Sequence, residues 1–195
     1  MISETIIALI IIGCTANKER IIYKDGVFSN GYQAKESTGY ISTTAEYHDQ
    51  IVISIILSKN NYINFKTNSV TDLSPYKYLS FVVSWEQEGV NLGLAVSIGN
   101  DDSMKPIQVT SGMAVNRLNR VYVDISSLTA NSTKDSLVRI FKTDKTDSTI
   151  YFNDIKFTEE KGTEGIYSFS TDMDETDGTK TCFIVLFIAL LFMAL

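Results

Sequence analysis

The residues able to do chemistry are few, and their types narrow the choice. His48 is the only histidine and stands in the turn-like stretch "EYHDQ". A metal site with several imidazoles is therefore excluded, and a Ser-His-Asp arrangement would depend on this one ring. Two carboxylates can hydrolyse a glycosidic bond without histidine, but Glu86, Glu88, Asp101 and Asp102 lie in turn-like segments where acids are expected anyway. No catalytic constellation emerges, so the expectation is a protein that is not an enzyme. Glycan recognition asks for less. A sugar presents an apolar ring face and an array of hydroxyls, so one or two exposed aromatics with amide, carboxylate or guanidinium groups beside them suffice. The aromatics offered for this are Tyr32, Tyr40, Tyr47, Trp85 and Tyr122, with Glu86, Asn91 and Arg139 as polar companions. Trp85 ends an apolar run, where a lone Trp is more often core than platform. Tyr122 alternates with Val121 and Val123, which turns it away from their face toward an open one.

The elements that must position these residues read as strands. The runs are Ile21–Tyr23, Ile41–Glu46, Ile51–Leu57, Tyr62–Lys66, Tyr78–Trp85, Leu92–Ile98, Val121–Asp124, Leu137–Lys142 and Ile150–Phe157. Nine short β-rich runs with no helical pattern between them predict an all-β, antiparallel sandwich or barrel. In "LGLAVSIG" Leu92, Leu94, Val96 and Ile98 share one face while Gly93, Ala95 and Ser97 share the other, a period of two. Pro75 stands just before a strand, where its missing N–H does no harm, and "IGNDDS" and "FKTDKTDST" supply turn residues. No repeat of 20–50 residues is visible, so the body is read as one domain.

The order of these pieces resembles a known family. "DLSPYKYLSFVVSW", "LGLAVSIG", "LNRVYVDISSL" and "DSLVRIFKTDKTDSTIYFNDIKF" are similar to the second half of the carbohydrate-binding-module-like jelly rolls, which share the galactose-binding-like sandwich. In that family a "Y-x-x-L-x-F" strand precedes a strand of the ligand-facing sheet, then a "W-x-x-V-x-I-x-L-S-x-L" strand, then "I-Y-[IFL]-D-[DN]-I". The match runs over Ile21 to Phe157 in order and spacing. Leu118 replaces the aromatic of the third element, and Asn153-Asp154 replaces the commoner acidic pair. The resemblance implies a jelly-roll β-sandwich, a glycan or extracellular polysaccharide as partner, and a structural Ca2+ held by oxygens near the first and last strands. Asp25 in "YKDGV" and Asp154 in "YFNDI" are the positions it nominates for that ion.

Both ends of the chain read as addresses. Ile6 to Ile12 is an apolar core followed by Cys14-Thr15-Ala16, the pattern of a secretory signal helix removed after Ala16. A competing reading takes Ile11-Ile12-Gly13-Cys14 as a lipobox with Cys14 lipidated. At the other end Cys182 to Leu195 is an apolar stretch of 14 residues. As a helix it reaches about 21 Å, short of the roughly 30 Å of a bilayer core. With the polar, acidic residues 159–181 in front as linker or stalk, it reads as a glycolipid (GPI) attachment signal, with Ser170 the first choice for attachment and Ser168 the next. The alternative is a short membrane anchor. The division expected is thus 1–16 signal, 17–158 sandwich, 159–181 linker and 182–195 hydrophobic helix.

Charge and cysteine usage agree with a cell-surface location. The net charge is −6, but residues 17–170 hold 16 Lys and Arg against 18 Asp and Glu, close to neutral, and no basic stripe offers a counterion-release surface for nucleic acid. The only cysteines, Cys14 and Cys182, fall in segments expected to be removed, so the mature domain must be stable by core burial without a disulfide. Asn131-Ser132-Thr133 is a sequon suited to a secreted glycoprotein. The reading is an extracellular, membrane-anchored, non-catalytic glycan-binding protein. Its rivals are a coat or adhesion protein that holds protein partners and a small hydrolase.

Overall fold

The computed structural model describes residues 18–35, 40–87, 92–99, 107–109, 114–129 and 135–166, all within the compact unit Asn17–Ser168. In chain order the strands are β1 (Glu19–Lys24), β2 (Val27–Phe28), β3 (Tyr32–Lys35), β4 (Ile41–Tyr47), β5 (Gln50–Leu57), β6 (Tyr62–Thr71) and β7 (Tyr78–Trp85). There follow β8 (Leu94–Ile98), β9 (Ile107–Val109), β10 (Asn119–Asp124), the four-residue helix α1 (Ser126–Thr129), β11 (Asp135–Lys142), β12 (Ser148–Thr158) and β13 (Gly165–Ile166).

These strands form two antiparallel sheets. The larger, of eight strands, runs β13-β10-β7-β12-β1-β2, with β5 also on β12 and β4 on β5; the smaller, of five, runs β3-β6-β11-β8-β9. All nine expected runs appear as strands, and Tyr78–Trp85 has the expected bounds. The short strands β2, β3, β9 and β13 were not foreseen. They carry too few alternating apolar positions to register as a period, and their pairing comes from long-range partners. β13 falls in the Gly- and acid-rich stretch read as linker, yet Gly165 and Ile166 pair with Arg120 and Asn119 of β10. The signal helix, the hydrophobic helix, Ser170, Asn131 and Asn91 lie outside the described residues.

Strand alternation delivers one apolar face of each sheet to a common core. Leu79, Phe81, Val83 and Trp85 of β7 and Ile150, Phe152, Ile155 and Phe157 of β12 belong to the same buried cluster as Ile63 and Phe65 of β6, Val138 and Ile140 of β11, and Leu94 and Val96 of β8. Each such side chain stabilises by about 1.5–3 kcal/mol relative to exposure. Phe81 and Phe152 meet edge to face at 6.0 Å, the arrangement the ring quadrupoles prefer.

β12 is the hub. Along one edge it pairs with β7; along the other it pairs with β5 over 148–152 and with β1 over 155–158. The change of partner coincides with a bulge between Asn153 and Lys156, where Asp154 takes a left-handed φ of 39°. Asn153 holds the neighbouring turn in place: its Oδ1 accepts from the Asp25 N–H at 3.0 Å and its Nδ2 donates to Asp25 Oδ1 at 2.9 Å. That turn, Asp25-Gly26, has φ of 47° and 88°, the two positive values of the tight hairpin for which Asp-Gly is suited. Gly26 also lies against Ile51, whose Cγ2 would be 2.9 Å from a Cβ placed there.

Candidate functional site

The outward face of the five-stranded sheet is assembled from residues of opposite parity to the core. Since Val138 and Ile140 point inward, Leu137, Arg139 and Phe141 of β11 point outward. The register then lays out three rows. Tyr62, Phe141 and Ala95 form one; Lys35, Asn64, Arg139 and Ser97 form the next; Gln33, Lys66 and Leu137 form the third. Arg139 is the centre. Its guanidinium lies 4.6 Å from the centroid of the Tyr62 ring, a cation–π contact of about 0.5–1 kcal/mol, and its Nε donates to Asn64 Oδ1 at 2.8 Å. Tyr62, Lys66, Arg139 and Phe141 are half-buried and Gln33 is exposed, whereas Asn64, Ala95, Ser97 and Leu137 are buried. The accessible part of this face therefore spans β3, β6 and β11. Among the described residues Ser97 Oγ, which is buried, has no hydrogen-bond partner; it stands in the row that holds Arg139 and Asn64.

An aromatic ring with a guanidinium over it, and an amide in the next row, is the equipment that sugar rings and hydroxyls require. Of the residues proposed from sequence, only Arg139 lies here. Tyr62 and Asn64 were missed, although "YINFK" announces them: Ile63 and Phe65 are the core pair, so the residues between them face outward.

The other candidates fall elsewhere. Trp85 and Tyr32 are each 2% exposed and belong to the core, which corrects their assignment as stacking platforms. Trp85 shares the parity of Leu79, Phe81 and Val83, and Tyr32 pairs opposite Thr67 next to the inward Ala34–Phe65 pair. Tyr40 is 77% exposed and stands just before β4 on the eight-stranded side.

Tyr47, Glu86 and Tyr122 lie on the outer face of the eight-stranded sheet, which the chain covers with its own segments. Tyr47 ends β4 before a hairpin turn at His48 and Asp49, both with positive φ. Its ring stacks on Tyr151 with centroids 3.9 Å apart, and its hydroxyl shares a 2.9 Å hydrogen bond with Ser84 Oγ. Tyr151 in turn donates to Glu86 Oε1; burial, with the Glu86 carboxylate beside it, pushes the Tyr151 hydroxyl well above its ordinary pKa. His48 Nε2 meets the Asn116 carbonyl at 3.2 Å. Tyr122 does point away from Val121 and Val123, as its alternation requires, but residues 159–164 lie over it: a Cβ on Gly162 would be 2.2 Å from its hydroxyl oxygen. It is half-buried, not open.

The calcium positions do not fit an ion. The Asp154 carboxylate pairs with Arg120 Nη2 and lies 3.7 Å from Lys156 Nζ, so two cations already neutralise it. Asp25 is engaged by Asn153. Among the described residues no group of three His, Cys, Asp or Glu side chains converges as a metal site.

No family model matches the chain, and no curated protein matches it significantly in sequence. Solved structures do. An alanine variant of a family 29 carbohydrate-binding module complexed with mannohexaose has a TM-score of 0.53 at 13% identity, covering 74% of this chain and 94% of that one. A Glu-to-Arg variant from the same family gives 0.51 at 13% identity over 74% and 93%, and a further family 29 module gives 0.50 at 13% over 74% and 90%. At this identity the likeness is one of fold: the chain is similar to these modules as an all-β, antiparallel two-sheet structure.

Proposed function

We propose that this chain is a secreted, cell-surface-anchored, non-catalytic glycan-binding protein, and that the outer face of its five-stranded sheet is the binding surface. The observation that carries the reading is the pair Tyr62 and Arg139, an aromatic ring and a guanidinium half-buried on a partly open sheet, with buried Asn64 holding the guanidinium from beneath its row. The fold supports it, since a structural neighbour was solved with mannohexaose. Entry to the secretory pathway through residues 1–16 and anchorage at Ser170 with loss of 182–195 complete the proposal. A glycan array probed with the folded protein tests the function: spots that bind the wild type and fail with Tyr62→Ala are expected, and silence across all sugars overturns it. Phospholipase treatment of expressing cells tests the anchor. Release is expected, and a retained chain that still contains Leu195 refutes the processing.

A second reading, a surface protein that holds protein partners, draws on exposed apolar side chains at the β4–β5 side. Ile51 lies beside Gly26, the neighbour of Val27, and the Ile56 N–H donates to the Tyr40 carbonyl; all four side chains are exposed.

A further inference from the structure

We propose that residues 159–166 are a strap that opens and closes over a second glycan subsite, built from Tyr78, Tyr122 and Asp124 on the outer face of the eight-stranded sheet. The inference rests on the glycan-binding reading and adds a gated site to it. Val121 and Val123 belong to the core, so Tyr122 and Asp124 take the outward parity, and the register sets Asp124 opposite Tyr78. The two tyrosine rings meet edge to face at 6.5 Å. Both are half-buried, and Asp124 beside them is exposed. Two rings with an acceptor for hydroxyls repeat, on this sheet, the chemistry that a sugar needs.

The path of the strap shuts this subsite. Thr158 ends β12 opposite Tyr78, which stands opposite Asp124, while Gly165 of β13 stands opposite Arg120. From Thr158 to Gly165 the chain crosses three strand spacings, about 14 Å, and moves along the sheet from the level of Asp124 to that of Arg120, about 13 Å, a diagonal of about 20 Å. The extended chain from 158 to 165 reaches about 24 Å. The segment therefore has little slack while β13 is paired, and Tyr122 lies beneath its line: a Cβ on Gly162 would collide with the Tyr122 hydroxyl and lie 2.9 Å from its Cζ. The clasp is slight. β13 is two residues long, residues 160–165 are exposed, and the Lys161–Glu164 ion pair at 3.3 Å lies within the strap and leaves with it. Such segments open locally at a small fraction of the cost of global unfolding. Gly165 holds a φ of 131°, a value that favours glycine, so the clasp also depends on that residue.

The test uses the full chain expressed in eukaryotic secretory cells. Amide hydrogen exchange is expected to be at least about tenfold faster in 159–166 than in β7. Gly165→Pro locks φ near about −65° and unclasps β13 without touching Tyr122, whereas Gly162→Ala lifts the strap by collision. Each is expected to speed exchange over 159–166 and to leave β7 as protected as in the wild type. On a glycan array, in a Tyr62→Ala background that weakens the five-stranded face, each raises sugar binding at least about tenfold, because apparent affinity scales with the open fraction. Adding Tyr122→Ala abolishes that gain. An open strap with no gain in binding, or a gain that survives Tyr122→Ala, overturns the gated subsite and leaves the five-stranded face standing. Exchange in 159–166 as slow as in β7 overturns the strap. If the wild type binds no sugar and Gly165→Pro does, the five-stranded face is overturned and the gated subsite stands; silence from both overturns the two together.

Discussion

Arg120 and Arg139 both stand on outward faces of the sandwich, one on each sheet, and the chain treats them in opposite ways. Arg120 is 7% exposed. Its Nη1 donates to Ser80 Oγ and to the Asp154 carbonyl, its Nη2 pairs with the Asp154 carboxylate, and β13 pairs with its backbone. Arg139 stays half-buried, its guanidinium over a tyrosine ring and its Nε donating to Asn64. The difference follows from where segments fold back. The β4–β5 turn reaches the Asn116 carbonyl through His48, the β1–β2 turn engages Asn153, and residues 159–164 lie over Tyr122, so polar groups on the eight-stranded side are taken up within the chain. The lesson is that residue type nominates a binding group, while the path of the rest of the chain decides whether its contacts are spent on folding.

The comparison breaks most visibly at Asp154. Asp154→Asn tolerates the left-handed φ but leaves Arg120 buried without its counter-charge, so a loss of about 3 kcal/mol is expected, read as a fall in the urea midpoint. The corresponding change on the other sheet, Tyr62→Ala, is expected to weaken glycan binding by about 1 kcal/mol, roughly fivefold, with little change in that midpoint; a large stability loss would place Tyr62 on the structural side of the comparison. Tyr47→Phe removes the hydroxyl shared with Ser84 and keeps the stack on Tyr151, which costs about 1 kcal/mol of stability and leaves glycan titrations unaltered.

The smallest effect concerns acid. Lys142 is buried at the end of β11 and pairs with Asp144. Burial by itself would raise the Asp144 pKa, but hydrogen bonds from Lys142, Thr146 and the Gly93 N–H outweigh it and hold the carboxyl below its ordinary value. Near its unfolded pKa of about 3.9 the unfolded chain therefore binds more protons at this site than the folded one. The stabilisation is complete above that pH and fades as pH falls through the lower folded value. Melting curves from pH 6 to about pH 2 should show a shallower acid decline for Asp144→Asn than for the wild type.

Much of the architecture was legible because half-buried strands write a period of two. "YLSFVVSW" gave up its bounds and "LGLAVSIG" its inward residues. The same rule, applied to aromatics, would have sorted Trp85 to the core and Tyr62 to the outside, since parity with a known apolar neighbour decides the face. What parity cannot convey is coverage. Tyr122 has the outward parity expected of it, and only the return of Gly162 over its ring removes it from the open surface. Ala95 and Ser97 are likewise outward and buried. Contacts between distant segments decided these positions, and a single strand's sequence carries no record of them.

The double allegiance of β12 governs when the domain can exist at all. The strand that joins β1, β5 and β7 is synthesised after all three, and its partners include β1 at the other end of the described sandwich, with Glu19 set against Thr158. Before it arrives, three strands hold edges with unpaired backbone groups, the surfaces on which chains join the wrong neighbour. Such distant pairing places the domain among slow folders, on a scale of milliseconds to seconds. A chain that ends before Ser148 should therefore collect as aggregate, and the yield of native protein should depend on how long the emerging β1 and β7 are kept apart from those of other chains.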